Sequence, residues 1–175
     1  MKTKPDKYKR KDYTAVLGID SGRISGTALL ASGCWQLERV ETASERRMVV
    51  HLAFQDIFGT ETYDGRKLLI VMEDWTSLYL PNGKRMGTKS VLAMGEERGK
   101  WLQEIERFEP QGYNLIKVPV RTWRKPFGLN GMPKEQAKKL AIAIASKETR
   151  QTVADHNVAE AVLIAKYGYN TYAIG

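Results

Sequence analysis

Short apolar runs bounded by glycine alternate along this chain with longer stretches of helical periodicity. Residues 14–20 (TAVLGID) and 26–31 (GTALLA) are apolar runs of strand length joined by a glycine turn, and such runs read as buried strands rather than helices. Gly33 begins a third run, Cys34–Val40, so the three form an antiparallel meander. From residue 44 to about residue 58 the period becomes helical, with Val49, Leu52, Ala53 and Ile57 on one face. A loop over residues 60–65 precedes KLLIVME, residues 67–73, which is long enough for one buried strand. Residues 88–108 read as a long helix in which Leu92, Gly95, Gly99, Leu102 and Glu106 share a face. Each of its two glycines costs about 1 kcal/mol of helix propensity. They are tolerated where another backbone comes close, that of the sheet or of a partner subunit. Residues 114–118 form a further strand. Pro133 then suits the first turn of a helix running to about residue 146, with Ala137, Leu140, Ala141 and Ile144 toward the core. ADHNVAEAVLIAKYG predicts a closing helix with Val158, Ala161, Val162 and Ala165 on its apolar face.

A chain of 175 residues, 42% hydrophobic and 27% charged, has the composition of a soluble globular protein with one sizeable core. We expect a single domain over residues 13–175, preceded by a disordered basic arm over residues 1–12. No apolar stretch approaches the roughly 20 residues that span a bilayer, and the basic start lacks the apolar segment of a signal peptide. One cysteine, Cys34, allows no intramolecular disulfide, so a reducing cytoplasmic setting is expected.

The net charge of +8 is informative because it is concentrated. Residues 1–12 carry an excess of +4 and residues 117–139 an excess of +6, which leaves the remainder mildly acidic at −2. Clustering of this kind suggests a polyanionic partner, nucleic acid before a membrane surface. Arg121, Arg124, Lys125 and Lys134 are the candidate phosphate contacts in the second cluster. Trp75, Leu78 and Tyr79 beside Lys84 and Arg85 could stack on or wedge between bases, or simply fold over one another.

The acidic residues change the picture further. Asp20 and Glu73 end two apolar strands, and Asp155 and Glu160 flank the start of the last helix. Alone, Asp20 could merely cap a tight turn. Three antiparallel strands, a helix, a strand parallel to the first, then alternating helix and strand is the order of a ribonuclease H-like fold, an α/β architecture with a mixed five-stranded sheet. In that order the first and fourth strands are neighbours, so Asp20 and Glu73 would meet, and the last helix would bring its acidic start to the same point. Several carboxylates so close cannot all stay ionised without a cation. Oxygen ligands suit Mg²⁺ or Mn²⁺, and two such ions about 4 Å apart support in-line phosphoryl transfer. At 100° per residue Asp155 and Glu160 would stand about 140° apart on one helix. Asp155 is therefore expected just before it, near the N-cap, turned back toward the site. His156 and Asn157 lie nearer Glu160's face and remain alternatives for completing the metal shell or holding the attacking water.

The chain resembles the RuvC-type Holliday junction resolvases over roughly residues 15–168, particularly phage members of that family. GIDSGRISGTALL resembles the first-strand motif whose aspartate, here Asp20, binds metal, and VMEDW the second acidic motif with Glu73. MGEERGKWLQEIE is similar to the glycine-bearing helix that builds the family's homodimer. VPVRTWRKPFGLNGMPKEQAKKLA is similar to the basic segment that holds DNA, and DHNVAEAVLIAKYG to the closing motif with its acidic pair. Glu160 matches the second acid of that pair, whereas three positions earlier stands Asn157. The fourth ligand is therefore expected to be Asp155, then His156, and the junction wedge one of Trp75, Leu78 and Tyr79. The resemblance implies a homodimeric endonuclease that cuts four-way DNA junctions with two Mg²⁺ or Mn²⁺ ions held by Asp20, Glu73, Asp155 and Glu160. A YqgF-like RNA-processing nuclease on the same fold is the nearest enzymatic alternative. A non-catalytic nucleic-acid-binding module would explain the basic segments but not the acids.

Overall fold

The structure, a computed structural model, describes residues 13–58, 68–74, 86–107 and 113–173, with the side chains of 56–58 outside that description. The basic arm, the loop over residues 60–65 and the aromatic stretch with Trp75, Leu78, Tyr79, Lys84 and Arg85 lie outside the described residues. The elements are β1 (Ala15–Asp20), β2 (Ser25–Ala31), β3 (Cys34–Val40), α1 (Ala43–Phe58), β4 (Leu68–Asp74), α2 (Thr88–Arg107), β5 (Tyr113–Pro119), α3 (Val120–Arg124), α4 (Lys134–Thr149) and α5 (His156–Tyr172). A 3₁₀ turn, Lys125–Phe127, follows α3.

The strands form one five-stranded sheet in the order β3-β2-β1-β4-β5. β3, β2 and β1 are antiparallel, and β1–β4 and β4–β5 are parallel. This is the ribonuclease H-like arrangement that the order of runs predicts. Both faces of the central strands are covered, which is why TAVLGID and LLIVME are nearly continuous in apolar residues. Alternate residues supply two separate cores. Leu17, Ile19, Ile70 and Met72 pack with α1 and α2, whereas Val16, Leu69 and Val71 pack with α4 and α5.

The helices partly differ from their apolar patterns. On α1 the buried positions are Val49, Val50, Ala53 and Phe54, while Leu52 is exposed, so the core face is rotated from the expected one. On α2 the buried residues are Trp101, Glu104 and Ile105, and Leu92 is exposed. Among the described residues a Cβ built at Gly95 or Gly99 meets nothing within 4 Å, so these glycines do not admit the sheet. Residues 120–127, for which the apolar pattern predicts no element, are helical turns that begin after Pro119. α5 is buried nearly all round, from Val158 to Ala165, because it lies between the sheet and α4.

Glycine decides how close α5 comes. A Cβ on Gly26 of β2 would collide with the backbone of Asn157 and Val158, and one on Gly18 of β1 with Ala161 and Ala165. The first turns of α5 therefore rest directly on β1 and β2. Gly26→Ala should push this turn away and lower the melting temperature by about 5–10 °C, from an overpacking cost of about 1–3 kcal/mol. Calorimetry or a circular dichroism melt measures this, and an unchanged melting temperature contradicts the contact.

Candidate active site

Strand alternation determines which acids can meet. Asp20 falls on the face of Val16 and Gly18, and Glu73 on the face of Leu69 and Val71, so both point to the α5 side. The parallel register pairs Ile19 with Met72, which places Asp20 and Glu73 next to each other at the ends of adjacent strands. Asp74 takes the other face, where it pairs with Arg98 of α2. Glu160, one turn into α5, completes the group. One carboxylate oxygen from each of Asp20, Glu73 and Glu160 lies within 4.8 Å of the other two. All three are buried, at 7%, 2% and 9% exposure. Burial, and then the charges of Glu73 and Glu160, hold the Asp20 carboxyl well above its ordinary value of 3.8.

Two neighbours on α3 hold this group. The indole Nε1 of fully buried Trp123 donates to Glu73 Oε2 at 3.0 Å. The guanidinium of Arg124 pairs with Glu160 Oε1 at 2.5 Å and lies 5.1 Å from the Trp123 ring centre. The β1–β2 turn is fixed as well. Ser25 Oγ donates to Gly22 O at 2.7 Å and accepts from Trp101 Nε1 at 3.0 Å, and Ser21 Oγ donates to Glu73 O at 3.4 Å.

Asp155 is the N-cap of α5, as its angular offset from Glu160 requires. Its Oδ1 accepts from the backbone N–H groups of Asn157 at 2.8 Å and Val158 at 3.2 Å, and its Oδ2 lies 3.5 Å from Arg39. It stands outside the three-carboxylate group, although its charge adds to the upward pressure on Asp20. His156 and Asn157 line the cleft without joining the group. The cleft holds about 880 Å³ and opens over the acids. Arg124 and Lys134 also line it, whereas Arg121 and Lys125 are exposed outside its lining. Trp123 lies buried against Glu73, a position that no periodicity in its short helix marks.

No protein-family model matches the sequence, and no curated protein matches it. Solved structures do match. Thermus thermophilus RuvC in complex with a Holliday junction substrate superposes with a TM-score of 0.58 at 13% identity, over 90% of this chain and 95% of that one. A second Thermus thermophilus RuvC structure gives 0.57 at 16% identity, over 89% and 95%. The chain has the RuvC fold.

Within this RuvC fold the acidic group suits a divalent ion. Its donors are all carboxylate oxygens, the hard ligands that Mg²⁺ and Mn²⁺ prefer. Three such oxygens within 4.8 Å of one another are near enough for one ion to be held among them. Without an ion the ionised Asp20 is a burden. A raised folded-state pKa means that its favourable contribution is complete below the unfolded value and is lost as pH rises through the folded one. Asp20→Asn should therefore raise the melting temperature of metal-free protein at neutral pH, and the gain should vanish below pH about 4. Added Mn²⁺ should stabilise the natural chain more than the variant. Thermal melts in chelator and in Mn²⁺ check both, and a destabilised variant in chelator at neutral pH contradicts the reading.

Proposed function

We propose that this protein is a metal-dependent endonuclease that cuts branched DNA, four-way junctions above all, by hydrolysing phosphodiester bonds. The observation that carries the reading is the buried Asp20–Glu73–Glu160 group at the floor of a cleft in a RuvC fold. Three buried acids with, among the described residues, one paired guanidinium beside them are unfavourable unless their charge has a use. A nucleic-acid-binding module has none for it, and a two-ion phosphodiesterase does.

In this reading Asp20, Glu73 and Glu160 hold Mg²⁺ or Mn²⁺, with Asp155 near enough to contribute charge and to set the start of α5. When bound, such ions supply an activated water and stabilise the leaving 3′-oxygen. The chain's own residues do the rest. Trp123 fixes the rotamer of Glu73 by donating to its Oε2. Lys134 at the cleft wall and exposed Arg121 and Lys125 beside it neutralise flanking phosphates, and Arg124 contributes from within. Residues 13–175 act as one nuclease domain in a bacterial or phage-infected cytoplasm. Among the described residues no helix is long and apolar enough to cross a membrane.

Symmetric cutting of a junction needs two sites, and the exposed face of α2 is where we place the homodimer. Leu92 is 67% exposed there, with Gly95 and Gly99 open beside it. Leu92→Glu should convert the dimer to monomer in light scattering after size exclusion and abolish paired cutting, while a monomeric natural chain at micromolar concentration contradicts the placement.

The deciding assay uses a synthetic four-way junction with and without Mg²⁺, beside linear duplex and structured RNA. Paired, symmetric nicks in the junction are expected only with the metal, and preferential cutting of the RNA would instead favour the YqgF-like reading. Asp20→Asn should lower cleavage by at least about a thousandfold, as expected when transition-state charge stabilisation is lost, and still bind the junction. Binding should weaken steeply with salt, by a log–log slope of about 0.9 per phosphate contacted. Undiminished cleavage by Asp20→Asn contradicts the assignment.

A further inference from the structure

Arg124 sits where a phosphate-binding residue alone has little reason to be. Its Nη2 is 2.5 Å from Glu160 Oε1, inside the group that the nuclease reading gives to metal. Its Nε is buried with no hydrogen-bond partner among the described residues, so the guanidinium satisfies only part of its fork. Among the described residues it also meets the Trp123 ring face at 5.1 Å, along which a planar guanidinium can slide without losing stacking. Its side chain is 27% exposed, on the cleft side. It is the last residue of α3, followed directly by a 3₁₀ turn capped by left-handed Gly128, so the backbone holds its base while the guanidinium rests between the Trp123 ring and Glu160 at the cleft.

A guanidinium and a divalent cation sharing Glu160 would repel each other at short range in a poorly solvated pocket, so one must give way. We propose that Arg124 is an exchangeable counter-cation. It neutralises Glu160 while the metal is absent, gives up that carboxylate when the ion arrives, and turns into the cleft to grip the phosphodiester about to be cut. The proposal rests on the nuclease reading and adds a catalytic residue to it. Its consequence is a coupling: the ion frees Arg124 for the phosphate, and by reciprocity the phosphate tightens the ion.

The two roles pull the measurements in opposite directions. Arg124→Gln and Arg124→Met both remove the competing charge. In DNA-free protein each should bind Mn²⁺ about five- to tenfold more tightly by calorimetry, about 1.0–1.4 kcal/mol. At saturating Mn²⁺ each should nonetheless cut the junction at least about tenfold more slowly, the loss expected when a charged contact to the reacting phosphate is removed. Lys138→Gln removes a charge from the same cleft without touching Glu160 and should leave Mn²⁺ affinity within about twofold, because a screened cleft charge acts weakly at a distance. A merely structural Arg124 predicts weaker metal binding together with slower cutting. Unchanged or weaker Mn²⁺ affinity in both variants overturns the exchange while leaving the nuclease reading intact. Tighter metal with undiminished cutting overturns the handover to phosphate. Absence of Mn²⁺ binding by the natural chain as well as the variants overturns both the exchange and the metal centre.

Discussion

The backbone of α5 lies against β1 and β2 at a distance that only glycine allows, and the candidate site depends on that contact. With Gly26 under Asn157 and Val158, and Gly18 under Ala161 and Ala165, the first turns of the helix cannot drift outward. Glu160 lies between those two contacts, so its carboxylate is delivered to the strand ends rather than to solvent. Asp155 secures the same turn from its open end by accepting two backbone N–H groups. A helix that began a residue earlier or later would rotate Glu160 by about 100° and dissolve the group.

The pairing of Asp20 with Glu73 was legible because both close apolar runs of strand length, and a two-residue period leaves no freedom about the face on which each falls. The same rule separates Glu73 from Asp74, which the sequence shows only as adjacent acids. The position of Asp155 was legible too, since an offset of about 140° from Glu160 cannot be reconciled with one helical face. Its engagement was not. An N-cap aspartate turned toward the site can spend its oxygens on the backbone instead, and here Oδ1 does so while Oδ2 faces Arg39.

The contribution of α3 was hidden for a different reason. A helix of five residues has no periodicity to read, and VRTWR followed by Lys-Pro has the composition of a basic loop. Trp123 and Arg124 become adjacent to Glu73 and Glu160 only once β5 is placed beside β4 and the chain turns at Pro119. On α2 the pattern left two readings of the glycines open, the sheet or a partner subunit. Its glycines do mark a face kept clear of side chains, but the sheet meets the opposite side through Trp101 and Ile105. Leu52 shows the usual limit of such readings, because an apolar residue at the margin of a stripe can stay exposed at small cost.

The restraints on the acids are unequal, and the inequality suits the proposed chemistry. At the end of β4, Glu73 is held by the Trp123 indole, its backbone carbonyl accepts from Ser21, and Asp74 is tied to Arg98 beneath the sheet. Behind that, buried Arg46 pairs with Glu97 and braces α1 against α2. Among the described residues Glu160 has no comparable anchor for its side chain, only a guanidinium that is itself incompletely bonded. One acid is thus fixed and another adjustable. A hard cation that insists on near-octahedral geometry needs a rigid edge to set its position and a compliant one to close around it. The rigid edge lies on the sheet, where two cores support it, and the compliant edge on α5, where in the proposed exchange the ion would take the place of the Arg124 guanidinium.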